Sequence, residues 1–336
     1  MNAELIDILE NTIDAEVLSV LLADRASGKH IIWATNDCAA YGEGYGFQDE
    51  ITAERITGEN GTVIKPRTEK DKAEQTRRVR DKAEVFTPSW VCNAQNNLVD
   101  NAWFGKTMNH FNKELPNGWK STYARKDPND RHGRVIFPNN LGKTWEDYVK
   151  ATRMEISCGE APYLTSRYDT VTGEYITVKR RIGLLDRKLR VIAENTDTWQ
   201  TWLKWAKIAL QNTYGFDWQG DNVLLARENV LYTVTEHYYS VYGRGVPKKT
   251  LLQFAEIISW NIFQMDGLKY VIPQSCGPLK DTQYTLFGEV TTYEPCPGCT
   301  KKDPLRHTGI YAKLYDWEEK KTVRFVELLK GETKNG

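Results

Sequence analysis

Four residues near the carboxyl end of the chain have the types and spacing of a metal site. In "EPCPGCTKKDPLRHTG", Cys296 and Cys299 form a Cys-x-x-Cys pair, His307 follows, and Cys276 lies upstream. Thiolate and imidazole ligands of this kind hold zinc tetrahedrally in structural sites. One Cys-x-x-Cys pair is half a site, and Cys276 with His307 is expected to complete it. A redox dithiol is disfavoured, because no thioredoxin-like helix follows the pair.

A second set lies earlier and is spread wider. "MEISCGEAPYL" (154–164) reads as a strand with Glu155 in it, ending in a tight turn through Cys158 and Gly159. "YGFDWQGDNVLLARENV" (214–230) puts Asp217 at the end of a second strand, before a helix. "NIFQMDGLKYVIP" (261–273) puts Asp266 and Gly267 in a turn after a helix. Open parallel sheets bind ligands beyond the carboxyl ends of their strands. A glycine-bearing first turn lets backbone approach the ligand. An acid ending the next strand can accept from a ribose diol, and a third acid from an exocyclic amine. These pieces fit a nucleoside.

With "AEVFTPSW" (83–90), the order of these motifs resembles that of the N6-adenine DNA methyltransferases, as arranged in the modification subunits of restriction systems. "EISCGEAPYL" is similar to that family's Asp-Pro-x-Cys-Gly-x-Gly. "YGFDWQGDNVLLAREN" is similar to its ribose-acid segment, and "NIFQMDGL" to its adenine-binding turn. The likeness covers roughly residues 65 to 275. It implies a class I methyltransferase-like, Rossmann-type α/β fold with a mainly parallel sheet. A helical and basic extension (1–80) would precede the cofactor domain (81–275), and a small subdomain with the zinc knuckle (276–336) would follow.

Carried over by position, the resemblance packs Phe86, Thr87 and Pro88 on the methionine part of S-adenosylmethionine. Glu155, Cys158 and Gly159 would form the pocket floor. Asp217 would take the ribose, Trp218 would lie beside the adenine, and Asp266 with Gly267 would meet the cofactor's amino group. The implied activity is methyl transfer to adenine N6 in DNA, in a restriction-modification or phage-defence setting, with a restriction or specificity subunit as a further partner. The chain departs from the pattern at Glu155 (usually Asp), at Ala161 and Pro162 (usually a second glycine), and in the long interval from Cys158 to Asp217. It has no Asn/Asp-Pro-Pro-aromatic tetrapeptide. In that family the tetrapeptide accepts from the target amine while its ring stacks on the flipped base. Gln274, in "VIPQSCG", is the nearest substitute in order. A second reading therefore stays open: a catalytically silent module that binds nucleic acid or cofactor. A third, a Mg²⁺-dependent nuclease using the acids of "GEGYGFQDE", lacks the usual Pro-Asp…Asp/Glu-x-Lys pattern.

The elements that must position these groups are legible in part. Apolar residues at helical spacing over 3–24 predict a helical hairpin, "HIIWAT" (30–35) a short strand, and "RMEIS" (153–157) another. "YDTVTGEYITV" (168–178) reads as a hairpin, part of an insertion over 168–192. Helices are predicted through "TWQTWLKWAKIALQNTYG", ending at Gly215, then through "NVLLARENVLYTVTEHYYSVYG" and "KKTLLQFAEIISWNIF". Strands alternating with helices predict a parallel sheet. Between 61 and 82, eight basic residues stand against four acidic ones. That run is either a solvated helix face or a patch for nucleic-acid phosphates.

The bulk numbers suit a globular protein: 336 residues, 40% hydrophobic, 27% charged, with 45 basic residues balancing 45 acidic ones. Any DNA binding must then rest on local patches. No apolar run approaches the ~20 residues needed to span a bilayer. The acidic start is unlike an export signal, and six cysteines are expected to stay reduced in the cytoplasm.

Overall fold

The computed structural model describes residues 10–82, 84–122, 134–137, 142–286 and 288–330. The first half is helical and irregular, with α1 (Ala15–Leu22), α2 (Ala53–Ile56), α3 (Lys72–Lys82) and α4 (Ser89–Phe104). A hairpin, β1 (Asn112–Leu115) and β2 (Gly118–Ser121), is followed by α5 (Trp145–Lys150). Next come β3 (Arg153–Ile156), α6 (Leu184–Asn195), α7 (Trp199–Gln211), β4 (Thr213–Asp217), α8 (Gly220–Tyr242), α9 (Lys248–Asn261) and β5 (Ile262–Gln264). The C-terminal part holds the hairpin β6 (Leu279–Thr285) and β7 (Gly288–Glu294), then α10 (Pro297–Lys301), β8 (Lys313–Asp316) and β9 (Lys321–Arg324).

The architecture is mixed α/β, and its centre is one parallel three-stranded sheet in the order β3-β4-β5. Strand alternation gives each face a different cover. On one face, Gly215 and Ile262 meet the large helical core built from α6 to α9, which includes Leu189, Trp202, Leu224 and Phe254. On the other, Phe216 and Phe263 pack with Ala312, Leu314 and Phe325 of the C-terminal part. Met154 and Ile156 share that second face through the register Met154–Tyr214 and Ile156–Phe216, yet both are exposed.

Buried cations set the strand ends. Lys188, on α6, donates to the carbonyls of Ala151 (2.7 Å) and Asn212 (2.8 Å), just before β3 and β4 begin. Arg227, on α8, donates to the carbonyls of Leu21, Ala23, Ser259 and Ile262, joining α1, α9 and β5. Both basic groups lose proton affinity to burial, Arg227 falling to about 9.

The structure departs from several sequence expectations. The first arm of the hairpin expected over 3–24 falls largely outside the described residues; the second is α1. "HIIWAT" makes only the single bridges His30–Ala23 and Ile32–Glu50. The segment 168–192 is a turn bridged at Tyr168–Tyr175, followed by the buried helix α6. Its run of Asp186, Arg187, Lys188 and Arg190 masks the apolar period, since every one of these finds a buried partner. The Trp-rich helix stops at Gln211, and Gly215 lies inside β4. The basic run is neither fully solvated nor a free patch: Lys70, Arg78 and Lys82 turn inward onto Asp221, Glu84 and Asp37. Among the described residues, no helix is long and apolar enough to cross a membrane.

Arg78 is expected to be the costliest of these cations to remove. Its guanidinium lies 2.7 Å from Asp221 and 2.7 Å from Glu84, with no side chain of the three more than 8% exposed. Arg78→Ala takes from Glu84 its ion-pair partner and leaves Asp221 only the more distant Lys70 (3.5 Å), and should cost roughly 3–5 kcal/mol. Urea unfolding is the check, and a loss below ~1 kcal/mol would refute the role.

Candidate functional site

A cavity of about 970 Å³ opens at the carboxyl ends of β3 and β4, under the loop that precedes α4. Phe86, Thr87, Glu155, Cys158, Gly159, Asp217 and Trp218, far apart in sequence, all line it. The β3 turn forms the floor. Cys158 donates its amide to the Phe216 carbonyl (2.8 Å), and its buried thiol sits against the backbone of Gly215. Burial holds that thiol well above its usual range, so it is protonated and packs rather than attacks.

The turn is strained. Ser157, Gly159 and Ala161 have φ of 51°, 52° and 61°, left-handed values that only Gly159 adopts without a Cβ penalty. Such strain concentrates where function fixes backbone geometry. Ala161 stands where the resembled motif has its second glycine, and the backbone takes the glycine conformation regardless.

The two acids at the strand ends hold this turn. Asp217 accepts from the Gly159 amide (2.9 Å) with Oδ2 and from the Gln219 amide (3.0 Å) with Oδ1. Burial raises its proton affinity, and these two amides oppose the rise. Glu155 accepts from the amides of Tyr163 (3.2 Å) and Leu164 (3.1 Å). Burial dominates there and pushes its carboxyl up to about 8, with Asp217 adding to the rise.

The opposite wall hangs on Arg78, which grips Glu84 just before the Phe-Thr-Pro loop and Asp221 and Asn222 at the start of α8. Lys82 reaches Thr35, Asp37 and Gln219. The Arg67 guanidinium stacks on Phe86 at 4.7 Å, and Thr170 donates to the Thr87 carbonyl (3.1 Å). Trp218 is fixed by its indole N–H on the Ala34 carbonyl (3.1 Å) and meets Phe47 edge-on. Asp37, Asp81, Glu84, Glu155, Glu160 and Asp217 line the cavity with Lys82, but Glu155 keeps its proton and Arg78 and Lys82 pair with Glu84 and Asp37, which leaves little net charge facing a ligand.

Four expected residues lie outside the lining. Pro88 caps α4 behind its two neighbours. Asp266 is buried and turns its carboxylate on its own loop, accepting from Leu268 (2.9 Å) and Lys269 (3.1 Å). Gly267 instead gives room to the Phe216 ring. Gln274 is exposed, in a left-handed turn, away from the cavity. The converse also occurs: Asp37, Lys82, Glu84, Asn96 and Asn222 line the cavity unannounced. Only Asn222 carried a usable signal, five positions past Asp217 on the first turn of α8.

The cysteine set does assemble. The ligand atoms of Cys276, Cys296, Cys299 and His307 all lie within 4.8 Å of one another, and each sulfur is 3.5 to 3.7 Å from His307 Nδ1. A tetrahedral zinc with Zn–S of about 2.3 Å and Zn–N of about 2.0 Å sets sulfur and nitrogen about 3.5 Å apart. Gly298 permits the approach, since a Cβ there would stand 2.6 Å from the His307 amide. The Thr308 amide donates to Cys296 Sγ (3.3 Å), a second-layer contact usual around metal-bound sulfur. This Cys₃His cluster is compatible with zinc, and none of its members lines the cavity.

Comparison with protein-family models, curated proteins and solved structures finds no match.

Two outcomes are expected. Between about 4.5 and about 8, the unfolded chain releases the Glu155 proton while the folded protein keeps it. Rising pH therefore favours unfolding across that window. Urea midpoints at pH 5 and pH 8 should fall less for Glu155→Gln than for the parent; an equal fall would contradict the assignment. For the cluster, elemental analysis of purified protein should find one zinc per chain, and Cys299→Ser should lower both the metal content and the thermal midpoint. Metal-free protein with an unchanged midpoint would dismiss the site.

Proposed function

We propose that the cavity binds S-adenosylmethionine and that the protein transfers its methyl group to adenine N6 in DNA. One observation carries the reading: Phe86, Thr87, Glu155, Cys158, Gly159, Asp217 and Trp218 line a single cavity at the carboxyl ends of parallel strands. The strained turn offers backbone at Ser157 to Gly159, where Gly159 has nothing within 4 Å of a built Cβ. Asp217 accepts from Gly159, Gln219 and Asn222 and keeps an acceptor site on Oδ2, enough to accept from a ribose hydroxyl. Trp218 presents a fixed apolar ring for the adenine. Phe86 and Thr87 close the side where the methionine part would lie. The cofactor supplies a cationic sulfonium carrying an electrophilic methyl, and Asp217 stands in the same lining. The Cys₃His cluster would hold a resident structural zinc, fixing the segment that follows β5.

A second reading has its own support. Gln274 is exposed outside the cavity, and no Asn/Asp-Pro-Pro-aromatic tetrapeptide occurs in the chain. With no acceptor for the target amine, the chain binds cofactor or nucleic acid without turning over by itself. The setting we infer for either reading is modification or defence alongside a restriction partner.

Calorimetric titration should show S-adenosylmethionine binding, ATP binding at least tenfold more weakly, and Asp217→Asn weakening the cofactor about tenfold, or ~1.4 kcal/mol. Absence of binding to folded protein would sink the enzyme reading and the cofactor-binding form of the second. Tritiated methyl transfer to unmodified DNA then separates them: incorporation marks the enzyme, and binding without incorporation the silent module.

A further inference from the structure

Methyl transfer to an exocyclic amine is helped by an oxygen that accepts from that amine. The nitrogen lone pair is spread into the aromatic ring, so the nitrogen attacks carbon poorly. A fixed oxygen accepting from one N–H localises the pair on nitrogen, with no reorganisation at the moment of attack. Such an oxygen must open on the cavity, be held in place, and have no other donor.

Most side-chain amides of the lining fail these conditions. Asn36 Oδ1 accepts from the Phe47 amide (3.0 Å), Gln219 Oε1 from Lys82 (2.7 Å), and Asn222 Oδ1 from Arg78 (3.3 Å). Gln95 is exposed and no described partner holds it.

Asn96, near the middle of α4, meets all three. Its Nδ2 donates to the carbonyls of Tyr163 (2.9 Å) and Ile182 (3.1 Å). Both N–H groups are used, and two carbonyl partners settle which end of the carboxamide is nitrogen. The side chain is thereby locked between the segment leaving the strained turn and the residues just before α6. Its Oδ1 accepts from no described donor, yet it is not sealed in the interior. Asn96 is only 1% exposed and lines the cavity, so this oxygen opens there. A buried acceptor left unmet is unfavourable, which points to a ligand that meets it.

The surroundings suit a flat base. Val99, on the next turn of α4, and Pro162, Tyr163 and Leu184 line the cavity around Asn96. Leu184 donates its amide (2.8 Å) to the same Tyr163 carbonyl that holds Asn96. At about 970 Å³ the cavity is as large as single-ligand pockets become, which leaves room for a base beside a nucleoside.

We propose that Asn96 is a catalytic residue, its Oδ1 accepting from the N6 amine of the target adenine. The proposal rests on the methyl-donor reading and supplies the acceptor whose lack favours the silent module. The amine's lone pair takes the methyl carbon, and the electron pair of the broken carbon–sulfur bond stays on sulfur. The nitrogen, cationic after attack, gives one proton to water, and the carboxamide stays neutral throughout. Selectivity follows as well. An oxygen that only accepts meets the amine of adenine or cytosine, and opposes the carbonyl oxygen that thymine or guanine presents there.

Calorimetric titration of nucleosides tests this on the full chain saturated with S-adenosylhomocysteine. Deoxyadenosine should bind roughly tenfold more tightly than purine deoxyriboside, which lacks the amine. That comparison needs no variant, so it holds even where replacing Asn96 costs the fold. Asn96→Ala and Asn96→Ser should bind the two nucleosides equally while keeping the parent's affinity for S-adenosylhomocysteine. Single-turnover methyl transfer to unmodified DNA should slow about 100-fold in both variants. Equal binding of the two nucleosides by the parent, or a preference that survives in folded variants, overturns the assignment of Asn96 alone. Folded parent that binds no S-adenosylhomocysteine removes instead the reading beneath it.

Discussion

The cavity exists because one guanidinium is buried where three segments meet. Arg78 takes carboxylate or amide partners from Glu84, Asp221 and Asn222. It thereby ties α3, the loop leading to Phe86, and the first turn of α8. Desolvation disfavours such a buried cation, and the paired carboxylates more than restore its charge. The same pairing holds Asp221 far below the usual carboxylate range, although burial alone would raise it. Lys70 and Lys82 reinforce the junction on Asp221 and Asp37. Beyond this junction, Thr170 on the Thr87 carbonyl and Asp169 on the Ser89 amide hold the far end of the Phe-Thr-Pro loop over the floor formed by β3 and β4.

The small size of the sheet explains why so much depends on polar contacts. Three strands of three to five residues offer little apolar area, and the large core is built between helices instead. Strand position is set by side chains donating to backbone carbonyls: Lys188 at the starts of β3 and β4, Arg227 at β5, and Asn261 on Thr213 (3.2 Å). Each is a buried donor whose loss would leave carbonyls unsatisfied. The chemistry-bearing ends of the strands are thus held by long side chains reaching across from helices.

Two centres result, with different physical logic. The cavity depends on strain and burial: three left-handed residues within five, a protonated Glu155 and an acid-rich wall. The Cys₃His cluster depends on close approach, with Gly298 against His307 and four soft donors within reach of one ion. The projecting β6–β7 hairpin lies between Cys276 and Cys296, so an ion there closes the base of that hairpin.

Groups constrained by local chemistry could be read from the amino-acid order. The Cys-x-x-Cys pair, the strand–turn around Cys158 and Gly159, Asp217 ahead of its helix, and the long helices α7, α8 and α9 were all legible. Their signals lie within a few residues, in ligand spacing, a glycine turn or a 3.6-residue period. Tertiary structure alone decided what depends on distant partners. Arg78, Lys82 and Arg187 read as surface charge until Glu84, Asp37 and Asp100 are brought to them. α6 was hidden because its buried face is polar. Asp266 looked like a ligand-binding acid, yet it caps its own turn, since an Asp beside free amides satisfies them first. The open edge of β3 was equally invisible, because whether a strand has a neighbour is a property of the assembled sheet.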